Sequence, residues 1–194
     1  MKLNEYSPRE DLEAAIASAA AYVYKNQRSQ KVLRAQRMKA SMYVCVGNTP
    51  DKVPVMYVHF FAKLRIISRA FVIVDGSEGD SYVGEYTNGL FVIHCHAINR
   101  YIERSGCQDK REKVVIDIIN ETMHVYTAHD SDTYYVKYRS GVFLCVVIDK
   151  VLHYRTWITD QQCHRNQLLF AKKSESKVKE FYENIKNQKN GKTS

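Results

Sequence analysis

From Met42 to Thr159 the chain returns repeatedly to short runs of β-branched and aromatic residues, each closed by turn-forming residues. Met42 to Val46, Val53 to Phe61, Arg65 to Val74, Ser81 to Tyr86 and Leu90 to Cys95 make a first series. Met123 to Ala128, Thr133 to Arg139, Val142 to Asp149 and Val151 to Thr159 make a second. Bounded by Gly47-Asn48-Thr49-Pro50-Asp51, Thr87-Asn88-Gly89, Ser140-Gly141 and Asp149-Lys150, such runs favour pleated strands joined by tight connections. In the second series Asp130-Ser131-Asp132, Ser140-Gly141 and Asp149-Lys150 are short enough for an antiparallel meander. Asp75-Gly76-Ser77-Glu78-Gly79-Asp80 reads as a mobile loop, too acidic to cradle phosphate.

Helical signals flank and divide these series. Ser7-Pro8-Arg9-Glu10 predicts a helix entry with Ser7 as N-cap, Pro8 in the first helical position and Glu10 closing a capping box, the helix running to about Met38. Its first half is alanine-rich, whereas its second half carries Lys25, Arg28, Lys31, Arg34, Arg37 and Lys39. That basic half fits nucleic acid, a partner's acidic face or a merely solvated helix surface. Between the series, His96 to Arg104 and Lys110 to Asn120 predict two more helices, with Gly106 ending the first and Asp109 capping the second. Ser174 to about Asn187, with Val178, Phe181, Tyr182 and Ile185 in a stripe, predicts a final amphipathic helix.

The expected fold class is therefore α+β: an antiparallel sheet with helices packed on one face, a long N-terminal helix and a C-terminal amphipathic helix. The organisation reads as a helix plus β-rich extension over 1–89, an α-α-β4 core over 90–162, and a C-terminal helix and tail over 163–194, together one compact unit.

A chain of 194 residues with a formal charge of +8 suits a polyanionic partner such as RNA, or an acidic protein. The opening residues lack the basic-then-apolar order of a secretory signal, and no apolar run approaches the ~18 residues that span a bilayer. Five scattered cysteines, Cys45, Cys95, Cys107, Cys145 and Cys163, with no Cys-x-x-Cys pair, predict free thiols in a reducing, cytoplasmic setting.

The segment His96-Ala97-Ile98-Asn99-Arg100-Tyr101-Ile102-Glu103-Arg104 carries the sharpest chemical signal. In a helix, His96, Arg100 and Arg104 follow one another at i, i+4 and i+8 and form a cationic stripe. Like charges at that spacing repel by a few tenths of a kcal/mol unless an anion lies between them, which points to a carboxylate partner or a phosphate. The structural alternative is equally concrete: Ala97, Ile98, Tyr101 and Ile102 supply a buried face and Glu103 neutralises Arg100.

The pattern His-Ala-x-x-Arg-x-x-Glu-Arg at a helix start, followed by a second helix and about four strands, resembles the toxin-type ribonuclease domains of the barnase, EndoU, colicin and RelE-like superfamily. The matching residues are His96, Ala97, Arg100, Glu103 and Arg104, with Arg155-Thr156-Trp157-Ile158-Thr159 standing where the closing strand falls. The resemblance covers about Leu90 to Gln162.

What it implies is metal-free, cofactor-free attack of an RNA 2'-hydroxyl on the adjacent phosphate, with an antitoxin as a further partner. His96 would act as general acid or base, Arg100 and Arg104 as phosphate clamps, and Thr156 as a substrate hydrogen-bonding group. Strand alternation puts His153, Arg155, Trp157 and Thr159 on one face and Leu152, Tyr154, Thr156 and Ile158 on the other, so Tyr154 would join Thr156 as a partner for His96. No clear second catalytic base accompanies them. The competing reading is a non-enzymatic module on the same scaffold that binds RNA or protein through the long basic N-terminal helix and the sheet of the first half. Engaged or dispersed cations would favour it. His94-Cys95-His96 and Cys163-His164 lack the usual zinc-ligand spacing, so no metal site is expected.

Overall fold

The computed structural model describes residues 2–62, 65–86, 89–122, 128–130, 133–167 and 169. The chain divides into two units, one of Met1–Cys95 with Asp149–Val151, the other of His96–Ile148 with Leu152–Ser194.

The first unit opens with α1 (Arg9–Asn26) and α2 (Gln30–Arg37) and continues through five strands: β1 (Met42–Asn48), β2 (Pro54–Ala62), β3 (Arg65–Gly76), β4 (Gly79–Tyr86) and β5 (Gly89–Ile93). Each strand pairs antiparallel with the next, in the order β1-β2-β3-β4-β5. Leu12, Ala15, Ile16 and Ala19 recur at helical spacing and are buried against Val55, Val72, Val74, Val83, Leu90 and Val92, alternate residues of the strands below. Fully burying a side chain such as Leu12 contributes about 1.5–3 kcal/mol, so this stripe fixes α1 on the sheet.

In the second unit, α3 (Cys95–Ser105) begins at the unit boundary, and α4 (Arg111–Thr122) follows it. Then come β6 (Ala128–Asp130), β7 (Thr133–Tyr138), β8 (Gly141–Ile148) and β9 (Val151–Thr159), neighbours in the order β9-β8-β7-β6. The core is aromatic. Tyr101 of α3 meets Tyr138 at 5.1 Å and Trp157 at 5.2 Å, the latter edge-on, while Phe143 meets Tyr154 at 5.4 Å. Gly141 faces this cluster because a Cβ there would collide with the Trp157 ring and the Ile158 carbonyl.

The expected α+β arrangement requires correction. Strands outnumber helices nine to four among the described residues, and each unit holds helices and a hydrophobic core of its own. Nor is the pairing purely antiparallel, since an isolated parallel bridge joins Asn4 to Asp75. The long N-terminal helix is broken between Asn26 and Gln30. Val23 and Val32 are both buried, yet nine residues at about 100° each would set them on opposite sides of a straight helix. The chain turns instead, with Ser29 extended at ψ 153.

The cap differs too. Ser7 Oγ accepts from the Asn4 amide, and Asp149 Oδ2, remote in sequence, accepts from the first helical amide, Arg9 N, at 3.2 Å. Asp75 to Asp80 forms a tight hairpin with Asp75 opposite Asp80 and Gly76 opposite Gly79, not a loop. The C-terminal helix expected over 174–187 lies outside the described residues, as do most of the strand expected at 123–128 and part of the turn at 87–89.

Candidate functional site

Helix α3 starts where β5 ends, and its first turn carries His96, half-buried, with Ala97 and Ile98 fully buried beside it. The two arginines of the stripe are engaged. Arg100 Nη1 lies 2.7 Å from Glu103 Oε2 on the same helix, and Arg104 Nη1 donates to the Trp157 carbonyl at 2.5 Å. A guanidinium on a backbone carbonyl ties α3 to β9, a charge-assisted bond of about 1.5–3 kcal/mol.

Of the predicted partners, Thr156 is half-buried in β9, next to the residue that holds Arg104. Tyr154 is only 1% exposed, and its hydroxyl donates to Thr122 Oγ1 at 3.4 Å, at the end of α4. Tyr154 and Trp157 both join the aromatic core, through Phe143 and Tyr101 respectively, so the strict alternation expected for β9 breaks between them. Arg104 and the closing strand are thus brought together as a structural joint, whereas Tyr154 is drawn into the core.

Arg139 completes this packing. Its guanidinium lies 5.0 Å from the Tyr138 ring centre and 5.8 Å from that of Tyr101, donates to the Tyr101 hydroxyl at 2.6 Å and pairs with Glu121 at 3.0 Å. The bond to Glu121 holds its pKa above the ordinary arginine value. Burial pushes the Tyr138 hydroxyl up as well, so this phenol stays protonated.

The first unit places its cations differently. Lys25, Arg28, Lys31, Arg34, Arg37 and Lys39 are all exposed along the corner where α1 passes into α2, and no acidic residue occurs between Glu13 and Asp51. Among the described residues none of the six forms an ion pair. Tyr24 and Met38, 75% and 73% exposed, add apolar surface beside them. The corner is nonetheless anchored: Gln27 Nε2 donates to Ser68 Oγ at 2.8 Å, and Ser68 Oγ lies 2.6 Å from His59 Nδ1. Burial lowers the His59 pKa, which favours the neutral ring.

Sequence reasoning passed over a second buried constellation. Glu5 and His94 have side chains 4% exposed, with His94 Nδ1 2.9 Å from Glu5 Oε2, and Ser81 Oγ donates to the same oxygen at 2.7 Å. Ser81 Oγ also accepts from the Cys95 amide at 2.9 Å. The glutamate sits between serine and histidine, which is the wrong order for a nucleophilic serine. It clips the N-terminal segment onto β4 and the start of α3. No local spacing links residues 5, 81 and 94, so only the fold reveals them. Among the described residues no group of three or more His, Cys, Asp or Glu is suited to hold a metal, and no helix is long and apolar enough to cross a membrane.

Comparison with protein-family models, with curated proteins and with solved structures gives no match, so the ribonuclease resemblance rests on the His96 to Arg104 pattern and its neighbours alone.

Proposed function

We propose that this chain is a non-enzymatic RNA-binding module whose phosphate-contacting surface is the basic corner of α1 and α2. The observation that carries the reading is the contrast in charge satisfaction: six exposed cations with no ion pair among the described residues and no acid between Glu13 and Asp51 at the corner, against arginines already bonded within the chain at α3. Uncompensated cations gain by releasing counterions from a polyanion, whereas Arg100 and Arg104 would first have to give up Glu103 and the Trp157 carbonyl. Tyr24 adds a ring on which an unpaired base can stack. All five cysteines are free, in keeping with a reducing, cytoplasmic setting where RNA is met.

The test is fluorescence anisotropy with a labelled single-stranded RNA at several salt concentrations. Binding should weaken steeply with salt, and neutralising Lys31, Arg34 and Arg37 together should flatten that dependence. Absence of binding at low salt would overturn the reading and favour an acidic protein as partner. RNA cleavage that leaves 2',3'-cyclic phosphate, in the presence of EDTA and lost in His96→Ala, would restore the endoribonuclease.

A further inference from the structure

Strand β1 is the outermost of its series and, among the described residues, pairs with β2 alone. Phe61 N donates to the Ser41 carbonyl and Thr49 N donates to the Val53 carbonyl, so the odd-numbered residues of β1 turn their backbone groups toward β2. The amides and carbonyls of Met42, Val44, Val46 and Asn48 therefore point outward. Edge strands are ordinarily guarded by charge, proline, shortness or a bulge. Met42 to Asn48 has no charged residue and no proline over seven residues, and Val46 is 51% exposed.

We propose that β1 is a homodimerisation edge, pairing antiparallel with β1 of a second copy about a two-fold axis at Cys45. The argument for a second copy is self-complementarity in that register. Val44 meets Val46 of the other copy through the outward backbone groups, and both are β-branched residues suited to cross-strand packing. Tyr43 comes opposite Gly47, where nothing lies within 4 Å of a Cβ position, so the ring finds open space. Cys45, whose own backbone bonds run to β2, faces its counterpart as a non-hydrogen-bonded pair. Such pairs have Cα atoms about 4.5 Å apart, within the disulfide range of about 4.4–6.8 Å. No residue of β1 requires an opposite charge from its partner, as a foreign acidic or basic strand would supply.

The pairing is independent of RNA binding, and salt separates the two. Helix α2, which packs against β1, is basic, so two copies repel through their helices and associate better as salt rises. RNA binding changes in the opposite direction.

The experiment is sedimentation velocity of the full chain without RNA from about 1 μM to about 1 mM, the span of weak complexes. It is paired with mild diamide oxidation, which takes two electrons and two protons from two thiols. A concentration-dependent dimer is expected, together with an oxidised dimer that disappears in Cys45→Ser. Val44→Pro removes an outward amide only, a change an edge strand tolerates, and Val46→Lys installs the guard that is missing. Each should give monomer with an unchanged circular dichroism spectrum. A wild type that stays monomeric throughout, a dimer that survives both edge variants, or a cross-link that persists in Cys45→Ser would overturn the proposal.

Discussion

Helix α3 and the α1–α2 corner both present arginines at helical spacing, yet the two regions use them in opposite ways. In α3 the cations close on partners within the chain: Arg104 holds the Trp157 carbonyl and Arg100 holds Glu103. At the corner no acid occurs between Glu13 and Asp51, and the cations stand in solvent. The difference teaches that helical spacing of arginines does not by itself indicate a ligand. What matters is whether the chain supplies the counter-group. A charge satisfied internally is part of the fold, and a charge left uncompensated across two helices is available to a partner.

The largest expected effect tests whether α3 is chiefly a packing element. Trp157→Ala removes the ring that Tyr101 meets edge-on and leaves the Arg104 joint without its support, at about 3–5 kcal/mol. Hydrogen exchange should show amides of Tyr101 to Ser105 losing protection while those of Leu12 to Val23 keep theirs. Equal loss in both regions would break the comparison. Next comes the corner. Replacing Lys31, Arg34 and Arg37 by Gln removes about three phosphate contacts at about 0.7 log units each, near a hundredfold weaker RNA affinity at about 0.1 M salt. Stability should hold, because none of the three makes an ion pair among the described residues.

Much of the strand pattern was legible because it depends on local residue types and turns: the run Val151 to Thr159 coincides with β9, and Arg65 to Val74 falls within β3. The breaks were not. Val23 and Val32 each fit a helix, and only burying both reveals the turn between them. The cap on α1 comes from Asp149, the bond from Arg104 ends on a main-chain carbonyl, and Glu5 finds His94 and Ser81 across the sheet. None of these contacts leaves a mark in local spacing. In the α3 motif the sequence did show Glu103 beside Arg100, and that pairing is present. The basic corner was visible as a charge run, but a solvated surface and a binding surface have the same composition. Only a binding measurement separates them.

Arg104→Ala should cost about 1.5–3 kcal/mol, since it leaves the Trp157 carbonyl without its charged donor. Chemical denaturation followed by near-ultraviolet circular dichroism of the aromatic cluster would measure it, and RNA affinity of the folded variant should not change. A smaller effect concerns pH. His59 has its pKa lowered by burial, so the unfolded chain takes up a proton at a higher pH than the folded one. Its contribution to stability is therefore complete above about pH 6.5 and is lost as pH falls below that value, with a slope of at most about 1.4 kcal/mol per pH unit. Protonation leaves His59 Nδ1 only a donor toward Ser68, the side chain that accepts from Gln27 of the corner. His59→Gln should remove this component of the slope, and an unchanged slope would separate His59 from the corner.

The smallest effect is the most discriminating for catalysis. Arg100 and Glu103 form an i,i+3 pair with side chains 39% and 62% exposed, a geometry that stabilises a helix by only about 0.2–0.5 kcal/mol. Glu103→Gln should therefore barely change stability while freeing the one arginine of the stripe that is not tied to β9. If α3 were a phosphate clamp held closed by its own glutamate, this variant would bind RNA more tightly than wild type and, with His96 one helical turn away, would cleave it. If α3 is a structural helix, the freed guanidinium adds a single exposed charge far fewer in number than the six at the corner, and affinity should rise by no more than the few-fold expected of one added phosphate contact. Anisotropy titrations of Glu103→Gln, alone and combined with the Lys31, Arg34 and Arg37 replacements, distinguish the two. Under the reading favoured here the combined variant binds as weakly as the triple variant to within that few-fold gain, whereas recovery of wild-type affinity, or any cyclic phosphate product, would return the site to His96, Arg100 and Arg104.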